Sequence, residues 1–334
     1  MKILVTGDAG NIGSSVLLYP RQNTQHQVIN LEKLTYAGNI AQLPGASDHP
    51  RYKLERADIY GSFALTRVPT GHRSDAVMHL SAESHFERST DAPTGFYSKI
   101  SGTYIFPEVC RHNRNNQAVN ARARLRFHHI STYGVYRDLK DSEALLTQQT
   151  PHFSSVRHST SKTCSDHLAH PRLKTYRLPR QISNSSSPPN HFPEELRPVY
   201  GDGSQACDWL HIEDHAPALL KAPNHGQPGA TFNTGGHHKQ RNLEVVEDLY
   251  APLDGLAPEK PADIQRFAER ITCAQNRPDH YRRDAVDAEP GWRPQAFLKS
   301  GPHKTVRWYL QSHSWWQDAL DDSYQIGRPG PTPA

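Results

Sequence analysis

The chain has 334 residues, and its 38 lysines and arginines against 34 aspartates and glutamates give a formal net charge of +4 at pH 7. So small a basic excess gives no reason to expect nucleic acid as a partner, although it is compatible with an anionic substrate. No apolar run approaches the roughly 18 residues of a membrane span, and no positively charged leader precedes an apolar region. We therefore expect a cytoplasmic protein that makes no membrane contact.

The N-terminus carries a glycine motif directly after an apolar run that fits a buried strand. Its glycines, Gly7, Gly10 and Gly13, are spaced three apart, and a helix-like segment follows them. Such glycines let the backbone approach a pyrophosphate, while the helix N-terminus presents free N–H groups to it. Glu32 ends a second apolar run about 20 residues on, where a carboxylate suits the ribose hydroxyls of NAD and repels the 2′-phosphate of NADP. The motif predicts NAD binding; the alternative is an ordinary glycine-rich turn between a strand and a helix.

Apolar runs along the first half of the chain predict buried strands that alternate with helices. The strand-like runs lie at 3–6, 28–31, 52–54, 76–82 and 125–131, the third being the weakest, and helix-like segments lie at 14–18, 94–111 and 159–174. This alternation predicts an α/β fold, a doubly wound parallel sheet of the Rossmann type covered on both faces. Ligands of such sheets bind at the carboxyl ends of the strands.

The second half of the chain has a different character, because prolines and glycines recur to its end. We predict an NAD-binding domain over 1–180, a smaller substrate lobe over 181–325 that is interleaved with it, and a disordered tail over 326–334. Four prolines fall where helices are expected, and each should shorten its helix, since an internal proline costs about 3 kcal/mol. These positions are Pro20, Pro107, Pro171 and Pro302.

The cysteines and histidines give no metal-ligand pattern. The four cysteines lie far apart without a CxxC pair, which favours reduced thiols over a disulfide framework or a zinc site. The 21 histidines include adjacent pairs but no HExxH motif. Adjacent residues of a strand point to opposite faces and would not share an ion, so we expect no bound metal.

Two later segments carry side chains suited to chemistry. The strand-like run at 125–131 is followed by two hydroxyl-bearing residues, Thr132 and Tyr133. His158 then stands near the start of a predicted helix, with Lys162 one turn further along the same face. An imidazole beside a lysine is a candidate general base.

With these residues the chain resembles the extended short-chain dehydrogenase/reductase family, and within it the 4,6-dehydratases that act on dTDP-glucose. The resemblance covers nearly the whole chain. Besides the glycine motif it is carried by the segments 33–39 (KLTYAGN), 76–80 (AVMHL), 83–85 (ESH), 127–132 (FHHIST), 165–168 (SDHL), 191–194 (HFPE), 208–210 (DWL) and 213–215 (EDH), and by Arg277-Pro278 with His280.

The resemblance implies a lyase that reduces NAD transiently while it converts a nucleotide-activated glucose to its 4-keto-6-deoxy form. A tyrosinate beside a lysine removes the proton of the sugar 4-hydroxyl, and an Asp-Glu pair then eliminates water. It also implies a homodimer formed through the helices at 94–111 and 159–174.

The same resemblance implies the site residues. Those implied to bind NAD are Gly7, Gly10, Asn11, Ile12, Gly13, Glu32, Lys33, Thr35, Gly38, Asp58, Ile59, Leu80, Ala82 and Lys162. Those implied to bind the nucleotide sugar are Ser84, His85, Asn184, Glu194, Asn233, Arg277 and His280. Thr132 and Lys162 remain from the family's catalytic set, and we add His158 and Tyr133, which stand at substituted positions, as catalytic candidates.

The chain departs from the family at its catalytic positions. The family tyrosine is His158, and the Asp-Glu pair is Tyr133-Gly134. A phosphate-binding arginine is replaced by Cys207, and a helix asparagine by Lys99. His158 could act as the base, with its pKa lowered by Lys162, or Tyr133 could supply a phenol.

A carboxylate elsewhere, Glu83 or Asp138, could replace the lost acid. Three functions stay open: an impaired dehydratase, an inactive NAD-binding relative with a scaffold or regulatory role, and a nucleotide-sugar epimerase. An epimerase needs no Asp-Glu pair but still uses the tyrosine.

Overall fold

The computed structural model describes the residues 1–7, 11–33, 49–59, 67–68, 71–81, 94–136, 138–139, 144–154, 157–176, 180–185, 199–225, 227–237, 239–276, 283–284, 286–287, 292–295 and 300–312. Seven strands of this part of the chain form one sheet in the order β3-β2-β1-β4-β5-β6-β9, and every pairing in it is parallel. The strands are β1 (Lys2–Thr6), β2 (Gln27–Glu32), β3 (Tyr52–Arg56), β4 (Ala76–His79), β5 (Arg126–Ser131), β6 (Arg180–Ser185) and β9 (Thr231–Thr234).

Two smaller sheets, eight α-helices and two short 3-10 helices (Tyr133–Val135 and Phe267–Arg270) complete the described elements. The order β10-β8-β12 joins β8 (Ala206–Asp208), β10 (Lys239–Arg241) and β12 (Arg283–Asp284), and β7 (Val199–Tyr200) pairs with β11 (Cys273–Ala274). The helices are α1 (Asn11–Asn23), α2 (Thr94–Asn115), α3 (Val119–Arg124), α4 (Arg157–Tyr176), α5 (Ile212–His225), α6 (Asn242–Tyr250), α7 (Leu253–Leu256) and α8 (Ser300–Gln311).

The two faces of the large sheet are covered by different helices. Because successive strand residues point to opposite faces, Ile3 and Val5 pack on one side and Leu4 on the other. The first side is covered by α1 and α5, and the second by α2, which contributes Phe106. This double covering buries nearly all of β1 and β4 at the centre of the sheet, and it confirms the predicted doubly wound fold.

The predicted elements agree with the structure in type but differ from it in extent. The strand expected at 76–82 ends at His79, and the helix expected at 14–18 runs from Asn11 to Asn23. The main sheet also takes β6 and β9 from beyond residue 180, so strands on both sides of the predicted domain boundary share one sheet. The predicted tail at 326–334 lies outside the described residues.

The expectation that prolines shorten their helices is wrong. The helix α1 continues through Pro20, α2 continues through Pro107, and α4 spans the position of Pro171. Pro302 is the third residue of α8, where the missing N–H has no helical partner to lose. Packing of α1 and α2 on the sheet therefore outweighs the local cost of a proline.

Replacing Pro107 by alanine is expected to raise the free energy of unfolding by about 1–2 kcal/mol. The change restores an amide N–H for the carbonyl of Thr103, and this gain exceeds the apolar contact that the smaller side chain loses at this buried position. The measurement is urea unfolding followed by circular dichroism. Pro302→Ala is the matched control and should leave the midpoint nearly unchanged; equal effects of both variants would contradict the argument.

Candidate functional site

The turn after β1 requires glycine at its first position. Gly7 has φ +76°, and a Cβ added there would lie 2.6 Å from both the backbone N and the Cα of Ser81. Ser81 lies just after the end of β4. The residue before it, Leu80, donates its N–H to the carbonyl of Thr6 at 3.0 Å. The turn after β1 and the residues that follow β4 are thus in contact through their backbones, and no side chain fits between them.

Replacing Gly7 by alanine is expected to lower the free energy of unfolding by about 2–4 kcal/mol, because the new Cβ meets backbone atoms and the residue keeps a left-handed conformation. Gly71→Ala is the matched control, since a Cβ at Gly71 has nothing within 4 Å. Both variants would be compared by urea unfolding. A Gly7 variant as stable as the control would show that the contact with Ser81 gives way at no cost.

The N-terminus of α1 follows this turn and is suited to an anion. No acidic residue stands in its first turn, so the positive end of the helix dipole is not neutralised there. Gly13 is buried, and Ile12 packs against the core on the α1 side of the sheet. Asn11 begins the helix, whereas Gly10 lies outside the described residues.

The ends of β2 and β3 bring together the residues predicted to bind the adenosine half of a dinucleotide. Glu32 is the last residue of β2, and its Oε1 accepts the backbone N–H of Lys33 at 2.9 Å. The ammonium of Lys33 pairs with the carboxylate of Asp58 at 2.7 Å, where the lysine side chain is exposed and the aspartate side chain is partly buried. Ile59 packs on α2, since a Cβ at Gly102 would lie 2.7 Å from its Cδ1. Thr35 and Gly38 lie outside the described residues.

Lys162 lies at the centre of the site, between the ends of β4 and β5. Its Nζ donates to the carbonyl of Ile130 at 2.8 Å and to that of Ser81 at 3.4 Å, and the residue is only 7% exposed. Burial lowers the pKa of Lys162 to about 8, and the nearby carboxylate of Asp166 opposes that shift. His158 lies one turn earlier in α4, where its backbone position is described.

Thr132 and Gly134 form the turn that follows β5. The Thr132 side chain caps this turn by accepting the N–H of Gly134 at 3.3 Å. A Cβ at Gly134 would lie 2.3 Å from Oγ of Ser159, in the first turn of α4. Ser159 therefore stands where a side chain at position 134 would begin.

Tyr133 lies in a buried apolar cluster formed with Val135, Tyr136, Leu139, Leu146 and Val286. It is 1% exposed, and its hydroxyl donates to the carbonyl of Thr234 at 3.3 Å. The structure thus places this phenol in packing and hydrogen bonding that link the turn after β5 to the end of β9. Its catalytic role stays a prediction.

Asn233 is held in the same region. It is fully buried, its Oδ1 accepts the hydroxyl of Tyr136 at 3.1 Å, and its Nδ2 donates to the carbonyl of Leu146 at 3.4 Å. In the sheet register Asn184 lies between Ser131 and Asn233. The remaining predicted ligands of the sugar and the cofactor, Ala82, Ser84, His85, Glu194, Arg277 and His280, lie outside the described residues.

Asp166 is a site residue that the sequence analysis missed. It is 3% exposed and accepts a hydrogen bond from Ser131 Oγ at 2.8 Å, one helical turn beyond Lys162. The spacing of four residues after the lysine was available in the sequence. That spacing does not reveal that the carboxylate is buried.

Neither a membrane-spanning helix nor a cluster of metal ligands occurs among the described residues. No helix in the described part of the chain is long and apolar enough to cross a bilayer. Within the same residues, no group of three or more histidines, cysteines or acids is placed to hold a metal ion.

Comparison with known proteins identifies the family. The model of the GDP-mannose 4,6 dehydratase family matches residues 4–302. A dTDP-glucose 4,6-dehydratase of Neisseria meningitidis serogroup B is 44% identical over 350 residues, covering 98% of this chain and 99% of that protein.

Solved structures agree. The dTDP-glucose 4,6-dehydratase of Bacillus anthracis in complex with NAD superposes with a TM-score of 0.80 at 28% identity, covering 96% of this chain and 99% of that one. The enzyme DesIV of Streptomyces venezuelae, with NAD and dTDP bound, gives 0.82 at 26% identity, covering 96% and 100%. The expected resemblance is confirmed, and the chain belongs to the nucleotide-sugar 4,6-dehydratase family, to which the dTDP-glucose 4,6-dehydratases also belong.

Proposed function

We propose that this chain is an NAD-dependent dTDP-glucose 4,6-dehydratase whose hydride-transfer half is retained and whose elimination half is altered. The observation that carries the proposal is the position of Lys162, buried against the carbonyls that end β4 and β5. Full-length similarity to dTDP-glucose 4,6-dehydratases supports the substrate, and relatives crystallised with NAD support the cofactor.

The described residues fit a dinucleotide. The glycine turn after β1 would lie beside the pyrophosphate, with the N–H groups at the start of α1 facing it. Glu32 would accept the ribose hydroxyls, and Lys162 would hold the nicotinamide end. Bound NAD supplies an acceptor for the hydride of sugar carbon 4 and returns that hydride at carbon 6.

Position 158 would supply the base that takes the proton of the sugar 4-hydroxyl. An imidazole with an ordinary pKa near 6.5 is neutral and basic at pH 7. Lys162 follows position 158 one turn along α4, on the same face of the helix. The imidazole is shorter than a phenol, so we expect slow proton removal.

Elimination of water lacks its usual groups. The hydroxyl of Tyr133 donates to a backbone carbonyl, and Gly134 has no side chain. Because elimination needs one acid and one base, we expect this step to be slower than sugar oxidation.

A second candidate function is a reaction on the same scaffold that omits elimination, such as epimerisation at carbon 4. The observation that favours it is the closeness of Ser159 Oγ to the place of a side chain at position 134. The third is an NAD-binding relative without turnover, favoured by the substitutions at 133, 134 and 158.

The deciding experiment incubates the full-length protein with NAD and dTDP-glucose and identifies the product by mass spectrometry and NMR. Loss of one water with a 4-keto-6-deoxy sugar supports the dehydratase. An isomer of unchanged mass supports the epimerase and rejects the leading proposal. Binding of NAD and sugar without product supports the inactive relative. Lys162→Ala is the control and should abolish any turnover that the wild type has.

We further propose that the chain is a cytoplasmic homodimer joined through α2 and α4. These helices pack against each other, and Tyr104 on α2 presents an aromatic side chain that is 52% exposed. Light scattering during gel filtration measures the mass directly. A monomer, or a dimer that survives Tyr104→Glu unchanged, would speak against this interface.

A further inference from the structure

We propose that Asp166 is a positioning residue for Lys162, fixing the lysine ammonium at the end of β5 through a carboxylate clamped to the same strand. The inference rests on the proposed NAD site for its functional meaning. Its structural content, the link between Asp166 and Lys162, can be tested without NAD.

The geometry ties α4 to three consecutive residues of β5. Ser131 Oγ donates to Asp166 Oδ2 at 2.8 Å, and His129 Nε2 lies 3.2 Å from Asp166 Oδ1. Lys162 Nζ donates to the carbonyl of Ile130, between them. Since residues two apart on a strand point to one face, His129 and Ser131 approach the carboxylate from the same side, and Ser131 holds it by a hydrogen bond.

Lys162 and Asp166 are four residues apart on α4 and therefore share one face of the helix. Both are buried, at 7% and 3% exposure. A buried ammonium without a counter-charge is costly, and Asp166 supplies the negative charge that opposes the effect of burial on Lys162.

The other titratable groups near this pair come from several elements. His79 on β4 is fully buried; its ring stacks on His129 with centroids 5.5 Å apart, and burial holds the pKa of His79 well below its usual value. Burial lowers the pKa of His152, which precedes α4, and the carboxylate of Asp166 opposes part of that shift.

Two further elements pack against α4. The turn after β5 contributes Tyr133, whose hydroxyl donates to a backbone carbonyl. The helix α2 carries Glu108 and Arg111, which pair with each other. Among the titratable residues named here, Asp166 is thus the carboxylate that raises the pKa of Lys162.

The consequence concerns the charge beside the reaction. With its pKa near 8, Lys162 is mostly charged at pH 7, as it must be to lower the pKa of a neighbouring base. Without the Asp166 carboxylate, more of the lysine is neutral at that pH. The lysine Nζ would also lose the electrostatic attraction that holds it at the end of β5.

The test compares wild type with Asp166→Asn in the full-length protein. Isotope-labelled lysine NMR follows the titration of Lys162, whose signal is assigned by its absence from Lys162→Met. We expect the midpoint to fall by about one pH unit, which makes NADH binding about fivefold weaker near pH 8. Asp202→Asn, the same change at a fully exposed aspartate, should leave both readouts unchanged.

Each other outcome is decisive. An unchanged Lys162 midpoint in Asp166→Asn overturns the inference, even if binding weakens equally at every pH, because that is a purely structural effect. A lowered midpoint in a protein that does not bind NADH supports the inference and rejects the proposed function. If Asp166→Asn does not fold, Ser131→Ala replaces it: a smaller downward shift supports the clamp, and no shift overturns it.

Discussion

His158→Tyr is expected to accelerate oxidation of the sugar by about 10²- to 10³-fold over wild type. A phenol reaches further than an imidazole, and the Lys162 ammonium one turn along α4 lowers its pKa from about 10 toward the working pH. The measurement is the absorbance of the reduced cofactor after rapid mixing of enzyme, NAD and dTDP-glucose.

The same variant is expected to accumulate reduced cofactor rather than release product quickly. The tyrosine at position 158 restores the base for sugar oxidation, whereas Gly134 still has no side chain that could take part in the elimination of water. His158→Phe, similar in size but without a hydroxyl, is the matched control and should stay at or below the wild-type rate. A tyrosine variant no faster than the phenylalanine variant would mean that substrate binding, weakened by Cys207 in place of an arginine, limits the reaction instead.

Tyr133→Asp, which places the family residue at this position, is expected to lower the free energy of unfolding by about 3–5 kcal/mol. The change removes a phenol that is 1% exposed from the cluster with Leu146 and Val286, and it leaves the carbonyl of Thr234 without that donor. It also buries a carboxylate in apolar surroundings. Urea unfolding with a separate fit of midpoint and slope measures the loss.

Tyr133→Phe is the matched control, because it keeps the ring and removes only the hydroxyl. It should cost about 1 kcal/mol, the net contribution of one hydrogen bond. If the aspartate and phenylalanine variants were equally stable, Tyr133 would not be packed as the structure places it. In that case residue 133 would be available for chemistry.

These two results would separate lost catalysis from lost stability. Restoring the family residues at 158, 133 and 134 together changes three environments of different kinds. Position 158 lies near the start of a helix, position 133 is core, and position 134 meets Ser159. We therefore expect the single change at 158 to recover more sugar oxidation than the triple change, because the triple change also destabilises the protein.

Much of the fold could be predicted because its signals are local. The apolar runs of β1, β2 and β5 and the glycine at position 7 are read directly from neighbouring residues. The prolines misled for the same reason, since the cost of Pro20 or Pro107 is local and the packing of α1 and α2 on the sheet is not. Local preference is a weak guide where a buried face contributes more than one residue can cost.

The sequence by itself determined the glycine turn, the acid at the end of β2, the lysine one turn after residue 158, and the family. Only the tertiary structure decided that Tyr133 is a core residue, that Ser159 stands at the side-chain place of Gly134, and that the buried carboxylate of Asp166 is bonded to β5. The physical reason is distance along the chain. The hydrogen bonds of these residues reach partners far along the chain, such as Thr234 for Tyr133 at a separation of 101 positions, and no sequence spacing reveals such partners.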